Sequence, residues 1–177
     1  MTNINLRRIL SPDSRENSTL RDIYFVSFPP EERRPWDSMF VSETDSPEFY
    51  AIEISKDDSA PAICGLITIW NLDGVRYIEH FAVSPDFRSA GIGHKVLALL
   101  EGPVILEVEP PETSPEAVRR IGFYSRNGFE LSPVDYVQPP YTPDLPAIPL
   151  KIMTKGKIKD INATIRLLHS RVYKFEG

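Results

Sequence analysis

The chain of 177 residues is poor in the residues that build covalent or metal-held frameworks, with one cysteine and three histidines. A single thiol, Cys64, excludes an internal disulfide, and its place in the apolar run AICGLITIW marks it as core packing rather than a nucleophile. His80, His94 and His169 are not at ligand spacing from one another, so no metal site is expected. No stretch approaches the roughly 20 apolar residues of a membrane span. The opening residues, MTNINLRRILSPDS, lack the apolar centre of a signal peptide. The expectation is a cytoplasmic protein with no membrane partner. Bases are short as well: 20 Lys and Arg stand against 25 Asp and Glu, for a net charge of -5. Binding to a duplex must neutralise several phosphates, so nucleic acid is not expected as a partner. What remains, 41% hydrophobic and 25% charged residues, is the composition of an ordinary globular protein. The length suits one domain over residues 1–177.

Hydrophobic periodicity gives a mixed order of elements. Residues 3–10 read as an edge strand and 18–28 as a helix stopped by Pro29-Pro30. Residues 31–41, EERRPWDSMFV, read as a second short helix despite Pro35. Three strands follow over 49–55, 62–71 and 76–83, joined by turn-rich KDDSAP and LDG into an antiparallel meander. A helix over 92–100 carries Ile92, Val96, Leu99 and Leu100 on one stripe and ends at Gly102-Pro103. The next strand is VILEVE, and Ser114-Pro115-Glu116 opens a helix with a capping hydroxyl, proline at its first position and an early acid. Asn127-Gly128 closes that helix and Phe129 enters another strand. Five prolines between Pro139 and Pro149 predict a rigid loop, from which IPLKIM emerges as a strand. Ile158, Ile161, Ile165, Leu168, Val172 and Phe175 predict a terminal amphipathic helix over about 158–175, whose apolar stripe leaves a homodimer contact open. The order implies an α/β or α+β domain with one mainly antiparallel sheet.

The most informative segment is YIEHFAVSPDFRSAGIGHKVLALL, residues 77–100. A strand ends at Val83, a short loop carries Arg88, and Gly91 and Gly93 bracket Ile92 at the start of a helix. Backbone amides at the positive end of a helix, with glycine for close approach and a guanidinium beside them, suit an anion such as a pyrophosphate. Two rival phosphate motifs fail. GIGHKV does not supply the GxxxxGK[ST] of a Walker A loop, and Val96 stands where a dinucleotide fingerprint needs its third glycine.

Arg88-Ser89-Ala90-Gly91-Ile92-Gly93 resembles the [RQ]-x-x-G-x-[GA] acetyl-CoA loop of the GNAT (Gcn5-related N-acetyltransferase) family. Gly122-Phe123-Tyr124-Ser125-Arg126-Asn127-Gly128-Phe129 is similar to that family's later F/L-Y-x-x-x-G-F motif, and the element order matches over about 3–153. The resemblance implies a mixed sheet splayed between its fourth and fifth strands, flanked by helices, with acetyl-CoA as co-substrate lying in the gap and no metal. Backbone groups of Phe81, Ala82 and Val83 would pair with the pantetheine arm. Amides from Arg88 through Ser89, Ala90, Gly91 and Ile92 to Gly93 would hold the pyrophosphate, with His94 and Phe123 nearby. Where many relatives carry an asparagine seven residues before the tyrosine, this chain has Ala117, so Arg119 or Arg120 would meet the coenzyme instead.

The implied activity is transfer of an acetyl group from acetyl-CoA directly to an amine of a small molecule or peptide. The alternative is a non-catalytic acyl-CoA-binding regulatory module of the same fold. Transfer needs a base for the ammonium proton and an acid for the leaving thiolate. Tyr124, whose hydroxyl faces the coenzyme sulfur in the resembled motif, is the expected acid. Glu79 is the expected base, on the strand face it shares with Tyr77, Phe81 and Val83, while His80 faces the other way into packing. Arg33, Trp36, Glu107 and Tyr141 are the expected walls of the acceptor pocket: Trp36 and Tyr141 through their ring faces, Arg33 with Arg34 as a holder of a carboxylate, and Glu107 with Glu109 as an orienter of a cationic acceptor, the alternative for the two acids being a solvated strand face.

Overall fold

The computed structural model describes residues 2–11, 17–56, 59–88 and 91–176. Their elements are β1 (Thr2–Ile9), α1 (Asn17–Ser27), β2 (Glu48–Lys56), β3 (Ala62–Leu72), β4 (Val75–Val83), α2 (Ile92–Ala98), β5 (Val104–Val108), α3 (Pro115–Arg126), β6 (Glu130–Leu131), β7 (Tyr136–Gln138), β8 (Ile148–Lys155) and α4 (Ile161–Leu167). The strands form a sheet in the order β1-β2-β3-β4-β5-β8-β6, with β7 pairing β8 off that path. β1 with β2, β2 with β3 and β5 with β8 are antiparallel. One parallel pair sets Arg76–Ile78 of β4 beside Val104–Leu106 of β5. The architecture is the mixed, mainly antiparallel α/β sheet with flanking helices that the sequence implies.

The chain gathers into two compact units, Met1–Ile69 with Glu79–Leu100, and Trp70–Ile78 with Glu101–Gly177. Each has its own apolar cluster. In the first, Leu20 and Tyr24 lie four residues apart on α1 and bury fully with Phe49, Ala51 and Leu66 of β2 and β3. Side chains of that size each gain roughly 1.5–3 kcal/mol from leaving water. Gly65 sits opposite Ile52 in β2, where a Cβ would lie 2.3 Å from the carbonyl oxygen of Ala82. Only glycine lets β3 and β4 approach so closely. Cys64 beside it is buried and donates its thiol to the Ile52 carbonyl at 3.3 Å. Burial pushes that thiol up to about 11, which leaves it an unreactive core residue.

In the second unit β3 and β4 are joined through Asp73 and Gly74, with φ values of 52° and 93°. That is the two-residue turn whose twist suits a hairpin. Its apolar cluster joins Trp70, Leu72, Tyr77, Ile105, Leu150 and Ile152 to Leu168, Val172 and Tyr173 from the end of the chain. The terminal helix therefore packs onto this unit. The Ser114 hydroxyl accepts from the Ala117 amide at 3.1 Å, which caps α3 as the sequence predicts.

Four boundaries differ from expectation. Residues 31–41 form two short 3-10 turns, Pro30–Glu32 and Trp36–Phe40, rather than one helix. Pro35 has no amide to continue the ladder and becomes the cap of the second turn. α2 stops at Ala98, leaving Leu99 50% exposed while Leu97 is buried. The proline-rich stretch holds a strand, β7, whose three residues pair with Ile148–Leu150; Pro149 fits this exposed ladder because it needs no donor there. The terminal helix begins at Ile161, after Asp160 accepts from the Ala163 amide at 2.9 Å, and widens to a π-helical turn over Leu168–Val172. Ile158 and Phe175 lie outside it.

Gly65→Ala is expected to destabilise the protein by about 1–3 kcal/mol, because its methyl must displace the Ala82 carbonyl. Denaturant unfolding checks this, and a midpoint equal to that of the parent would contradict the close approach.

Candidate active site

The corner after β4 is built by its sequence. Ser84 donates its amide to the Cys64 carbonyl at 2.8 Å, and Pro85–Phe87 make one 3-10 turn that delivers Arg88 to the surface. The Arg88 Nε donates to the Val83 carbonyl at 3.3 Å. Ser89 and Ala90 lie outside the described residues. Gly91 then takes φ +70°, and no described atom comes within 4 Å of the point a Cβ would occupy. Such a φ belongs to glycine, and the space beside it is open. Lys95 donates its amide back to the Gly91 carbonyl at 3.2 Å. Ile92 and Gly93 stand in the first turn of α2, where amides have no acceptor within their own helix. The corner offers backbone donors and a guanidinium, a set that fits a diphosphate. Phe81 and Val83 are half-buried, Ala82 is buried, and His94 is exposed on the first turn of α2.

Glu79 is enclosed. Its carboxylate meets Arg34 Nε at 2.8 Å, with the two side chains 0% and 7% exposed. Arg34 is fixed in turn, because its carbonyl accepts from the Tyr24 hydroxyl at 3.0 Å. His80 locks the same loop, its Nδ1 3.9 Å from the Glu79 carboxylate. Its Nε2 donates to the Glu32 carbonyl at 2.8 Å and its Nδ1 accepts from Thr68 at 3.3 Å. The His80 amide donates to Thr68 Oγ1 at 3.0 Å, which completes the pairing. These partners assign a neutral imidazole, and burial pushes its pKa below the usual 6.5. His80 thus has the packing role expected of it, and it ties the loop that carries Arg34 to β4.

In the second unit Tyr124 lies on α3, 8% exposed, with Phe123 and Phe129 rings at 5.2 and 5.5 Å. Burial pushes its phenol up to about 12, and Arg120 draws it partly back. No hydrogen bond to its hydroxyl is found among the described residues. The phenol is therefore protonated at neutral pH with its proton uncommitted. The turn of α3 is closed by Asn127, whose side-chain amide donates to the Phe123 carbonyl at 2.8 Å, and by Gly128 at φ 85°. Arg119 pairs with Glu116 within α3, and Arg120 with Glu109 at 3.3 Å. Both arginines are exposed and can exchange these weak surface partners for a ligand.

The four expected acceptor residues have different settings. Arg33 caps the end of α1, donating to the Phe28 and Phe25 carbonyls at 2.6 and 2.8 Å. Trp36 is 8% exposed in the first core, 5.6 Å from both Tyr24 and Phe49. Tyr141 stands 4.9 Å from Tyr173. Glu107 is half-buried and takes hydroxyl bonds from Tyr77 at 2.6 Å, Tyr173 at 2.8 Å and Tyr136. Sequence reasoning named Glu107 and Tyr141 but missed Tyr77, Tyr136 and Tyr173 as one cluster. The three belong to β4, β7 and the chain's end, and no spacing in the sequence connects them. Arg34, expected with Arg33 to hold a carboxylate, pairs with Glu79, a partner for which the sequence carries no local signal. Among the described residues no group of three His, Cys, Asp or Glu side chains could hold a metal, and no helix is long and apolar enough to cross a membrane.

Comparison with known proteins gives a consistent picture. Residues 45–131 match the profile of the acetyltransferase (GNAT) domain. A GNAT-family protein of known structure from Bacteroides thetaiotaomicron is 33% identical, aligns over 97% of this chain and 99% of its own, and superposes with a TM-score of 0.83. A GNAT acetyltransferase from Elizabethkingia anophelis, solved with acetyl-CoA bound, is 15% identical over 88% of this chain and 98% of its own, with a TM-score of 0.55. Arabidopsis thaliana Naa50, in complex with the bisubstrate analogue CoA-Ac-MVNAL, is 18% identical over 87% and 99%, also at 0.55. Among curated proteins none matches.

Because His80 is neutral when folded and free to take a proton when unfolded, stability is full above about pH 6.5 and falls as pH drops below it. The melting temperature of His80→Gln should therefore decline less between pH 7 and pH 5 than that of the parent. Parallel declines in the two proteins would contradict the buried neutral ring.

Proposed function

The chain belongs to the GNAT acetyltransferase family, and from that premise we propose that it is an N-acetyltransferase, using acetyl-CoA to acetylate an amine of a small molecule or peptide by direct transfer. The observation that carries this reading is the Tyr124 phenol, kept protonated by burial, with its hydroxyl unpartnered among the described residues and set in the G-F-Y-x-x-x-G-F segment. A general acid needs a proton that is held at neutral pH and not already given away.

In this reading Arg88 and the amides of Ile92 and Gly93 bind the diphosphate, with Gly91 leaving room for its approach. The loop assignment extends through Ser89 and Ala90. Backbone groups of Phe81, Ala82 and Val83 take the pantetheine arm, with His94 and Phe123 flanking the coenzyme. Arg119 or Arg120 supplies the polar side chain that Ala117, a methyl group, does not. Acetyl-CoA supplies the thioester whose carbonyl carbon the amine attacks. Glu79, enclosed and oriented by Arg34, takes the proton of the acceptor's ammonium group through water. When the carbon–sulfur bond breaks, Tyr124 gives its proton to the thiolate and the nitrogen, now part of an amide, gives up its extra proton to restore the phenol, so that amide and free thiol leave and Glu79 returns its proton to solvent. Glu107 and Tyr141 bind the acceptor.

Tyr124→Phe removes the proton and keeps the ring. It is expected to lower kcat at least about tenfold while acetyl-CoA affinity stays within about twofold, because the hydroxyl acts on the leaving group rather than on binding. Steady-state thiol release and coenzyme titration read the two quantities, and an unchanged kcat would remove Tyr124 from the acid role.

A further inference from the structure

Within the second unit a single carboxylate organises three phenols. Tyr77 and Tyr173 both donate to Glu107 Oε2, at 2.6 and 2.8 Å, and Tyr136 donates to Oε1. The Tyr77 and Tyr173 oxygens stand 3.1 Å apart. All three rings are buried, while Glu107 itself is half-buried and so reachable. Tyr141, also half-buried, sets its ring 4.9 Å from that of Tyr173 at 48°.

Proton bookkeeping decides what such a nest can bind. Each phenol has one proton, and each directs it at the carboxylate. What the group can then offer an incoming molecule is oxygen lone pairs and ring faces. Burial, followed by the Glu107 charge, raises the phenols of Tyr136 and Tyr173 far above their ordinary value, so they stay neutral donors and the nest keeps a single negative charge. Lone pairs, aromatic faces and one negative charge suit a compact cation with several N–H donors, an alkylammonium. An anion or a neutral hydroxyl compound gains much less there.

We infer that Glu107, with Tyr77, Tyr136 and Tyr173, anchors a second ammonium group of the acceptor, which makes the acceptor a dibasic aliphatic amine. The choice of a second group follows from chemistry. A carboxylate nest favours the charged form of any amine it holds, whereas the nitrogen that attacks a thioester must be neutral. The held nitrogen is therefore not the reacting one. This inference rests on the transferase reading for the word acceptor, but the nest's preference for an ammonium ion stands on its own.

The test has two arms. In the first, the full chain without coenzyme is titrated calorimetrically with the diamines from 1,3-diaminopropane to 1,6-diaminohexane. At least one should bind, and Glu107→Gln should weaken it at least tenfold. No binding by any member, or binding that survives the substitution, overturns the anchor. If Glu107→Gln fails to fold by circular dichroism, Tyr136→Phe and Tyr173→Phe replace it. Each removes one donor and keeps its ring, and weakened diamine binding supports the anchor while unchanged binding overturns it. In the second arm, kcat/KM for the preferred diamine should exceed that for the n-alkylamine of equal length at least tenfold, and the ratio should collapse in Glu107→Gln. A ratio near one in the parent overturns the dibasic acceptor. Absence of turnover with every amine overturns the transferase reading instead, and the first arm still decides the anchor.

Discussion

A carboxylate taken out of water must be given donors, and this constraint shapes both halves of the molecule. In the first unit Glu79 is fully enclosed and Arg34 meets it. Leaving such a charge buried without its partner would cost about 3–5 kcal/mol, so the loop between α1 and β2 has to be held where Arg34 can reach. The loop is held by Tyr24, which bonds the Arg34 carbonyl, and by His80, which bonds the Glu32 carbonyl. In the second unit Glu107 is answered by three phenols drawn from β4, β7 and the chain's end. The short β7 and the packing of the terminal helix both become intelligible as ways of bringing Tyr136 and Tyr173 to that carboxylate.

The same two groups mark where function departs from stability. A core built for stability alone would fill these positions with apolar side chains, which often pack as well or better than a buried ion pair. Their presence in a chain that also carries segments resembling the family's coenzyme motifs fits a protein that must handle protons and charged amines. Tyr124 is the complementary case: a phenol buried with its hydroxyl left unpartnered among the described residues instead of being tied into the fold.

Much of the fold was legible because its signals are local. Ser114-Pro115 and Asn127-Gly128 bracket α3 through capping chemistry that needs no tertiary context. Leu-Asp-Gly marks the turn between β3 and β4 for the same reason. Gly91 before α2 was legible as a turn because a left-handed φ favours glycine. What was not legible depends on partners distant in sequence. β7 is three residues long, too short for any period, and exists because β8 offers it a partner. Pro35 divides a segment whose helical pattern is otherwise sound. The partners of Glu79 and Glu107 lie 45 and 30 or more positions away in most cases, as with Arg34 and Tyr77. Trp36 reads as a pocket wall in the sequence because an aromatic in a proline-flanked loop has no local signature of burial.

The central question is whether the protein couples an amine to the thioester. The most direct measurement is release of free thiol from acetyl-CoA by the purified full chain, followed against a broad panel of small-molecule and peptide amines. The account predicts amine-dependent release that saturates in both substrates and yields one amide per thiol. Tight acetyl-CoA binding with no amine-dependent release across the panel would contradict it, and would make the protein a coenzyme-binding module of the same fold.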